Sequence, residues 1–233
     1  MGRPTPPIDP QTFWDAKILG WEDSRYQAPA AAPTWLERIA GGVSTSLRFR
    51  QETALALLAP HVPGRRLVEL GCGSGRLAER LTALGAADYH GIDVSPVAIA
   101  RARERVADSA QARRIGFEVG GVAELPALGD ALVFSLGLFD WLSDAEIGHV
   151  LTIGRGGAYF HAVAERQRSI QQAIHRLYVH LAYGRRCDYV PRYHALADIT
   201  AALDRCGLPP CRVYRHPKMR FGIFVSDLPL SGA

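Results

Sequence analysis

The chain has 233 residues, 48% of them hydrophobic and 21% charged, with a net charge of +4, a composition ordinary for one globular core or two small ones. No run approaches the roughly 18 apolar residues of a membrane span, and the Pro-rich amino end MGRPTPPIDP lacks the apolar core of a signal peptide. Four cysteines (Cys72, Cys187, Cys206, Cys211) show no CxxC and no paired zinc-ligand spacing; they read as reduced thiols, with no metal site, in a cytoplasmic protein without integral membrane association.

After a loose start, QTFWDAKILGWEDSRYQ places Phe13, Ile18 and Trp21 among charges, the pattern of a helix packed on something larger. The Pro/Ala connector QAPAAAPTW follows. This divides the chain into an arm with a cap helix over 1–35 and a main domain over 36–233. A helical pattern runs from about 36 to 58, with Ser44 or Ser46 as its amino cap.

Beyond Pro63-Gly64 short apolar runs alternate with helices. RLVEL (66–70), YHGID (89–93), IGFEVG (115–120), ALVFSLG (131–137) and GAYFHAV (157–163) read as strands. GRLAERLTALG (75–85), a helix capped by Ser95 with Pro96 at its first position, and SDAEIGHVLTIG (143–154) read as the helices between them. Strands alternating with helices predict a doubly wound, mostly parallel α/β sheet, with ligands beyond the carboxyl ends of its strands. The tail departs from that rhythm. An amphipathic stretch and a loop over 165–194 suggest a lid insertion, and CRVYRH and RFGIFVSDL predict an antiparallel hairpin closing a seven-stranded sheet.

The glycines after the first strand set the ligand. In the dinucleotide fingerprint the third glycine sits five residues after the first, a position held here by Arg76. Gly71, Gly73 and Gly75 instead follow Glu69 as E-x-G-x-G-x-G, which disfavours a nicotinamide oxidoreductase. Such a turn lets a ligand approach the backbone where any Cβ would collide. Glu69 can draw an ammonium and the backbone N–H groups a carboxylate, while Asp93 at the end of the next strand can accept both hydroxyls of a ribose. Together these describe a nucleoside bearing an amino acid.

At these residues the sequence resembles the class I S-adenosylmethionine-dependent methyltransferases of small-molecule type, over roughly 58–228. VELGCGSG looks like the family's first motif, YHGIDVSP its second, VAELP (122–126) its adenine-binding segment, and DALVFSLGLFDWL (130–142) its fourth strand and acceptor-side loop. The resemblance implies a Rossmann-like fold and S-adenosylmethionine as cofactor. It implies that Gly71, Cys72, Gly73 and Gly75 surround the methionine part, Asp93 holds the ribose, and Val94, Val122 and Ala123 border the adenine. Leu136, in the fourth strand, also contacts the cofactor, Arg50 contacts the cofactor carboxylate, and Tyr26 is a candidate cover. One departure is Gly121, which stands where the family usually has an Asp for the adenine amino group. Glu124 or a backbone carbonyl is left to substitute, or the hold on adenine is weaker.

The methyl acceptor is expected to meet residues after strands four and five, Leu138 to Trp141 and His161, beneath the lid. His161, Asp140 and His194 are the candidate bases, with Tyr193 behind them. From Leu151 onward twelve Arg or Lys face five acids, and Arg166, Arg168, Arg176, Arg185, Arg186 and Arg192 lie near the lid; this suggests an acceptor bearing carboxylate or phosphate. No NPPY-type tetrapeptide and no base-stacking aromatic array point to nucleic acid. The leading expectation is an O- or N-methyltransferase acting on a small anionic metabolite or biosynthetic intermediate, as a monomer or homodimer. A lipid-like acceptor at a membrane surface, or a non-catalytic cofactor-binding partner module, are the alternatives.

Overall fold

The computed structural model describes residues 9–26, 48–167, 172, 191–219 and 221–230. The connector, the Ser44 or Ser46 cap, most of the 165–194 stretch with Arg168, Arg176, Arg185 and Arg186, and the side chain of Tyr26 lie outside the described residues.

α1 (Pro10–Tyr26) precedes a helix over 48–58, α2. β1 (Arg66–Leu70), α3 (Ala78–Ala83), β2 (Asp88–Asp93), α4 (Pro96–Val106), β3 (Ile115–Val119) and β4 (Leu132–Leu136) follow in sequence. The chain continues through α5 (Asp144–Ile153), β5 (Tyr159–Ala164), α6 (Leu196–Arg205), β6 (Arg212–Arg215) and β7 (Gly222–Ser226). The seven strands form one sheet in the order β3-β2-β1-β4-β5-β7-β6. β1 to β5 are parallel, and β7 runs antiparallel to both β5 and β6, so the predicted hairpin inserts its second strand beside β5 and leaves its first at the edge.

Strand alternation divides the core into two layers. Leu67, Phe134, Phe160 and Phe224 pack against Leu57 and Leu58 of α2, Leu81 of α3 and Ile99 of α4. Their neighbours Val68, Val133 and Val225 point the other way, onto Ile147 and Leu151 of α5 and Ile199 and Leu203 of α6. Each fully buried Leu, Ile or Phe in these layers contributes about 1.5–3 kcal/mol. The strand order reverses between β1 and β4, which sends helices to both faces, and the crevice at the carboxyl ends of these two strands is where this architecture receives ligands.

The local signals that set the elements are visible. Ser95 caps α4, its hydroxyl accepting the N–H of Ala98 at 3.1 Å, and Pro96 occupies the first turn. Ser143 and Glu146 close a capping box on α5. One boundary differs from expectation. The helix read as starting at Gly75 begins at Ala78, because Gly75 sits at φ +66°, outside the helical range, and residues 73–77 belong to the turn.

Candidate functional site

The three turn glycines all have positive φ, at +67°, +52° and +66°, yet each is required for a different reason. A Cβ on Gly75 would lie 2.6 Å from Phe117 Cζ, and one on Gly71 would lie 3.2 Å from Leu138 Cδ1. Gly75 is therefore a packing glycine, and Gly71 lets the loop after β4 approach the turn. A Cβ on Gly73 would lie 2.5 Å from Glu22 Oε1 of α1. Gly73 is the one that opens toward the cap helix.

The turn is tied to the end of β2. Gly71 and Cys72 both donate to the carbonyl of Ile92, at 2.8 and 3.1 Å. Asp93 Oδ2 accepts the N–H of Gly73 and Oδ1 that of Ser95, each at 2.9 Å. Burial pushes the Asp93 carboxyl up, those two N–H groups pull it back, and the Glu22 and Asp15 carboxylates add a further push. A carboxylate offers about four lone-pair directions, so two bonds to the turn leave acceptor capacity for a diol.

Cys72 points inward: a Cβ on Gly91 would lie 2.9 Å from its sulfur, and burial holds its thiol well above the usual range. Only the Cys72 backbone is offered to a ligand. Glu69 is also buried and accepts the Tyr89 hydroxyl; burial, foremost, pushes its carboxyl to about 8. Val94, Val122 and Leu136 stand half-buried along the carboxyl edge of β2, β3 and β4, and Ala123 is exposed.

The other wall is built on β4 and β5. Arg50 of α2 reaches the end of β4, donating to the Leu136 carbonyl at 3.4 Å, and the absent Cβ of Gly137 makes room for its guanidinium 3.0 Å away. Asp140, in the single turn Phe139–Trp141, accepts the N–H of Ala164 at 2.8 Å. Burial raises its carboxyl to about 7, against the lowering pull of that N–H and of Arg50.

The two histidines are placed otherwise than the acceptor-wall expectation. His161 is 1% exposed, stacks on Phe139 at 4.5 Å, and shares a 3.0 Å hydrogen bond between Nδ1 and the Ser135 hydroxyl. Burial drives its pKa down to about 3. His194 is likewise buried, its Nε2 2.9 Å from the Phe139 carbonyl, and burial lowers its pKa. Both are held neutral and used to fix the loop after β4. The described lid arginines are engaged too: Arg192 pairs with Asp144 at 2.5 Å and Arg166 with Asp198 at 3.8 Å.

α1 crosses above these loops. Phe13 and Trp14 pack on Trp141 with ring centroids 5.6 and 4.9 Å apart. Asp15 accepts the Ser95 hydroxyl at 2.5 Å, and Glu22 accepts the Ser74 N–H at 2.9 Å. Sequence reasoning missed Asp15, Glu22 and Ser74, whose partners lie 52 or more positions away. The apolar Phe13, Ile18 and Trp21 were the sequence signal that this helix docks; Phe13 and Ile18 are buried, and the side chain of Trp21 lies outside the described residues.

The methyltransferase domain family matches residues 67–153, from β1 to the end of α5. The ribosomal protein L11 methyltransferase of Deinococcus radiodurans is 40% identical over 57 residues, which span 24% of this chain and only 21% of that protein. Magnesium protoporphyrin IX methyltransferase from Synechocystis, solved with bound S-adenosylhomocysteine, shares the fold with a TM-score of 0.66 and 16% identity, over 93% of this chain and 96% of that one. The CcbJ methyltransferase of Streptomyces caelestis gives 0.64 and 17%, over 94% and 98%. At these identities the likeness is one of fold.

Proposed function

We infer that this chain, a class I S-adenosylmethionine-dependent methyltransferase by its domain and its fold, transfers a methyl group to an oxygen or nitrogen atom of a small anionic acceptor. The observation that carries the reading is the glycine turn with Asp93 bonded into it. A Cβ-free backbone at Gly73 and a strand-end carboxylate with spare acceptor capacity fit an amino-acid tail and a ribose. When bound, S-adenosylmethionine supplies the activated methyl group. The protein's work is to hold the cofactor, align the acceptor, exclude water and remove a proton.

Asp93 takes the ribose hydroxyls, and Val94 and Val122 border the base. Leu136 and Leu138 floor the cleft between β1 and β4. Asp140 is the proton acceptor we favour. It follows β4 directly and its pKa of about 7 suits a base at neutral pH, whereas His161 and His194 are committed to packing. We move Arg50 from the expected cofactor carboxylate to the acceptor's carboxylate or phosphate, because it stands beside Asp140 at the end of β4 while Arg166 and Arg192 already serve Asp198 and Asp144.

Calorimetric titration with S-adenosylmethionine and S-adenosylhomocysteine, with NAD as control, tests the cofactor assignment. Binding of the two sulfur compounds and not of NAD supports it, and an acceptor screen would then begin with anionic metabolites. No binding of either sulfur compound by the folded protein overturns it.

A further inference from the structure

Ser74, between the second and third turn glycines, is fully buried, and its own N–H and hydroxyl are both turned to a carboxylate. Its N–H and its hydroxyl both donate to Glu22, the first at 2.9 Å to Oε1 and the second to Oε2. Arg76 Nε lies 3.5 Å from Oε2. Arg105 donates to the Ser74 carbonyl at 2.9 Å and to its hydroxyl at 3.1 Å, which orients the hydroxyl hydrogen toward Glu22. An amide N–H, an oriented hydroxyl and a nearby guanidinium make a strong, charge-assisted seat for an anion.

The occupant of that seat comes from the chain itself, and it stands where a ligand is expected. Glu22 Oε1 fills the room that Gly73 leaves by lacking a Cβ, and the adjacent N–H, that of Gly73, is the one bonded to Asp93. The carboxylate seat and the ribose acid are thus one residue apart on the same turn. α1 is held there by contacts at three points, on Trp141, Ser95 and Ser74.

We propose that Ser74 and Arg76 seat the carboxylate of the cofactor's amino-acid tail, and that Glu22 holds this seat in the free protein and is displaced when the cofactor enters. The proposal rests on the methyltransferase reading. One N–H and one hydroxyl hydrogen serve one carboxylate at a time, so Glu22 and the cofactor compete rather than cooperate. With its charge partly offset by Arg76, Glu22 adds little long-range attraction for a cationic ligand, and exclusion dominates.

The test is calorimetry on the full chain with two ligands, S-adenosylhomocysteine and 5′-methylthioadenosine, which keeps the nucleoside and thioether but lacks the amino-acid tail. Glu22→Ala should bind S-adenosylhomocysteine about threefold or more tighter, and Ser74→Ala about fourfold more weakly, because the roughly tenfold of one charge-assisted hydrogen bond is partly offset by the loosened hold of Glu22 on the same seat. Methylthioadenosine affinity should stay within about twofold in both variants. Glu22→Gln, which keeps the helix shape, should fall between wild type and Glu22→Ala; it decides the matter if Ser74→Ala does not fold. Unchanged or weaker S-adenosylhomocysteine binding by Glu22→Ala, or a parallel change for methylthioadenosine, overturns the proposal alone. Wild-type protein that is folded and binds neither ligand removes the methyltransferase reading with it.

Discussion

Asp93 Oδ2 accepts the backbone N–H of Gly73 at 2.9 Å, so the acid that ends β2 fixes the middle of the turn that follows β1. The same carboxylate anchors Ser95, the cap of α4, through its other oxygen. One buried side chain therefore shapes both halves of the proposed cofactor site. Asp93→Ala should weaken S-adenosylhomocysteine binding by about 1.5–3 kcal/mol, the range for hydrogen bonds to a charged group. Calorimetry reads this directly, and unchanged affinity would show that Asp93 is only a scaffold for the turn.

The glycines of the turn separate under substitution. Gly73→Val puts a branched side chain at φ +52° within 2.5 Å of Glu22 Oε1. The flexible α1 contact can give way, so the variant should fold and lose cofactor binding. Gly75→Ala meets the ring of Phe117 at 2.6 Å instead, and overpacking of this kind costs about 1–3 kcal/mol of stability. Thermal melting and calorimetry together distinguish the two; a Gly73→Val protein that binds normally would move the cofactor away from this turn.

The readable parts of this molecule were those coded locally. The glycine spacing, the Ser95–Pro96 cap and the alternation of strands and helices each depend on residues a few positions apart, and each is found where expected. Residues joined by folding were not readable. Glu22 meets Ser74 across 52 positions, and nothing in WEDSRY marks one acid as a turn ligand. His161 lies in YFHAVA, where almost every residue is apolar; without a polar side to the strand, alternation gives no hint which face the imidazole takes. The partners of the tail's arginines were hidden for a related reason: the acids that pair with Arg166 and Arg192 sit on α6 and α5, so counting charges along the chain could not join them.

Among the described residues, three buried groups with large shifts contribute strongly to the pH dependence of stability. The carboxyls of Asp140 and Glu69 are raised to about 7 and about 8, from about 4 in an unfolded chain. The native state therefore holds more protons than the unfolded state from about pH 4 upward, and stability falls as pH rises through this window. His161, lowered to about 3, acts oppositely: the native state holds fewer protons, so stability rises with pH between about 3 and 6.5. Above about pH 6.5 the His161 contribution is complete while the two carboxyls still lower stability, so the thermal midpoint should drop between about pH 6.5 and 8. Asp140→Asn should flatten the lower part of that drop and Glu69→Gln the upper part. A slope unchanged in both variants would mean that neither carboxyl is protonated in the native state.

Asp140 and His161 also part in catalysis. With an acceptor in hand, Asp140→Asn should lower kcat by about 100-fold or more, the usual contribution of a positioned base. The wild-type rate should rise through about pH 7, where the Asp140 carboxyl ionises, and that step should vanish in the variant. His161→Gln, by contrast, keeps a partner for Ser135 but loses the stack on Phe139. It should melt earlier and keep its rate within about threefold of wild type, because its ring is a packing element rather than a proton acceptor. The reverse pattern, a rate that collapses in His161→Gln and survives in Asp140→Asn, would transfer the base to the histidine and require β5 to open toward the acceptor during turnover.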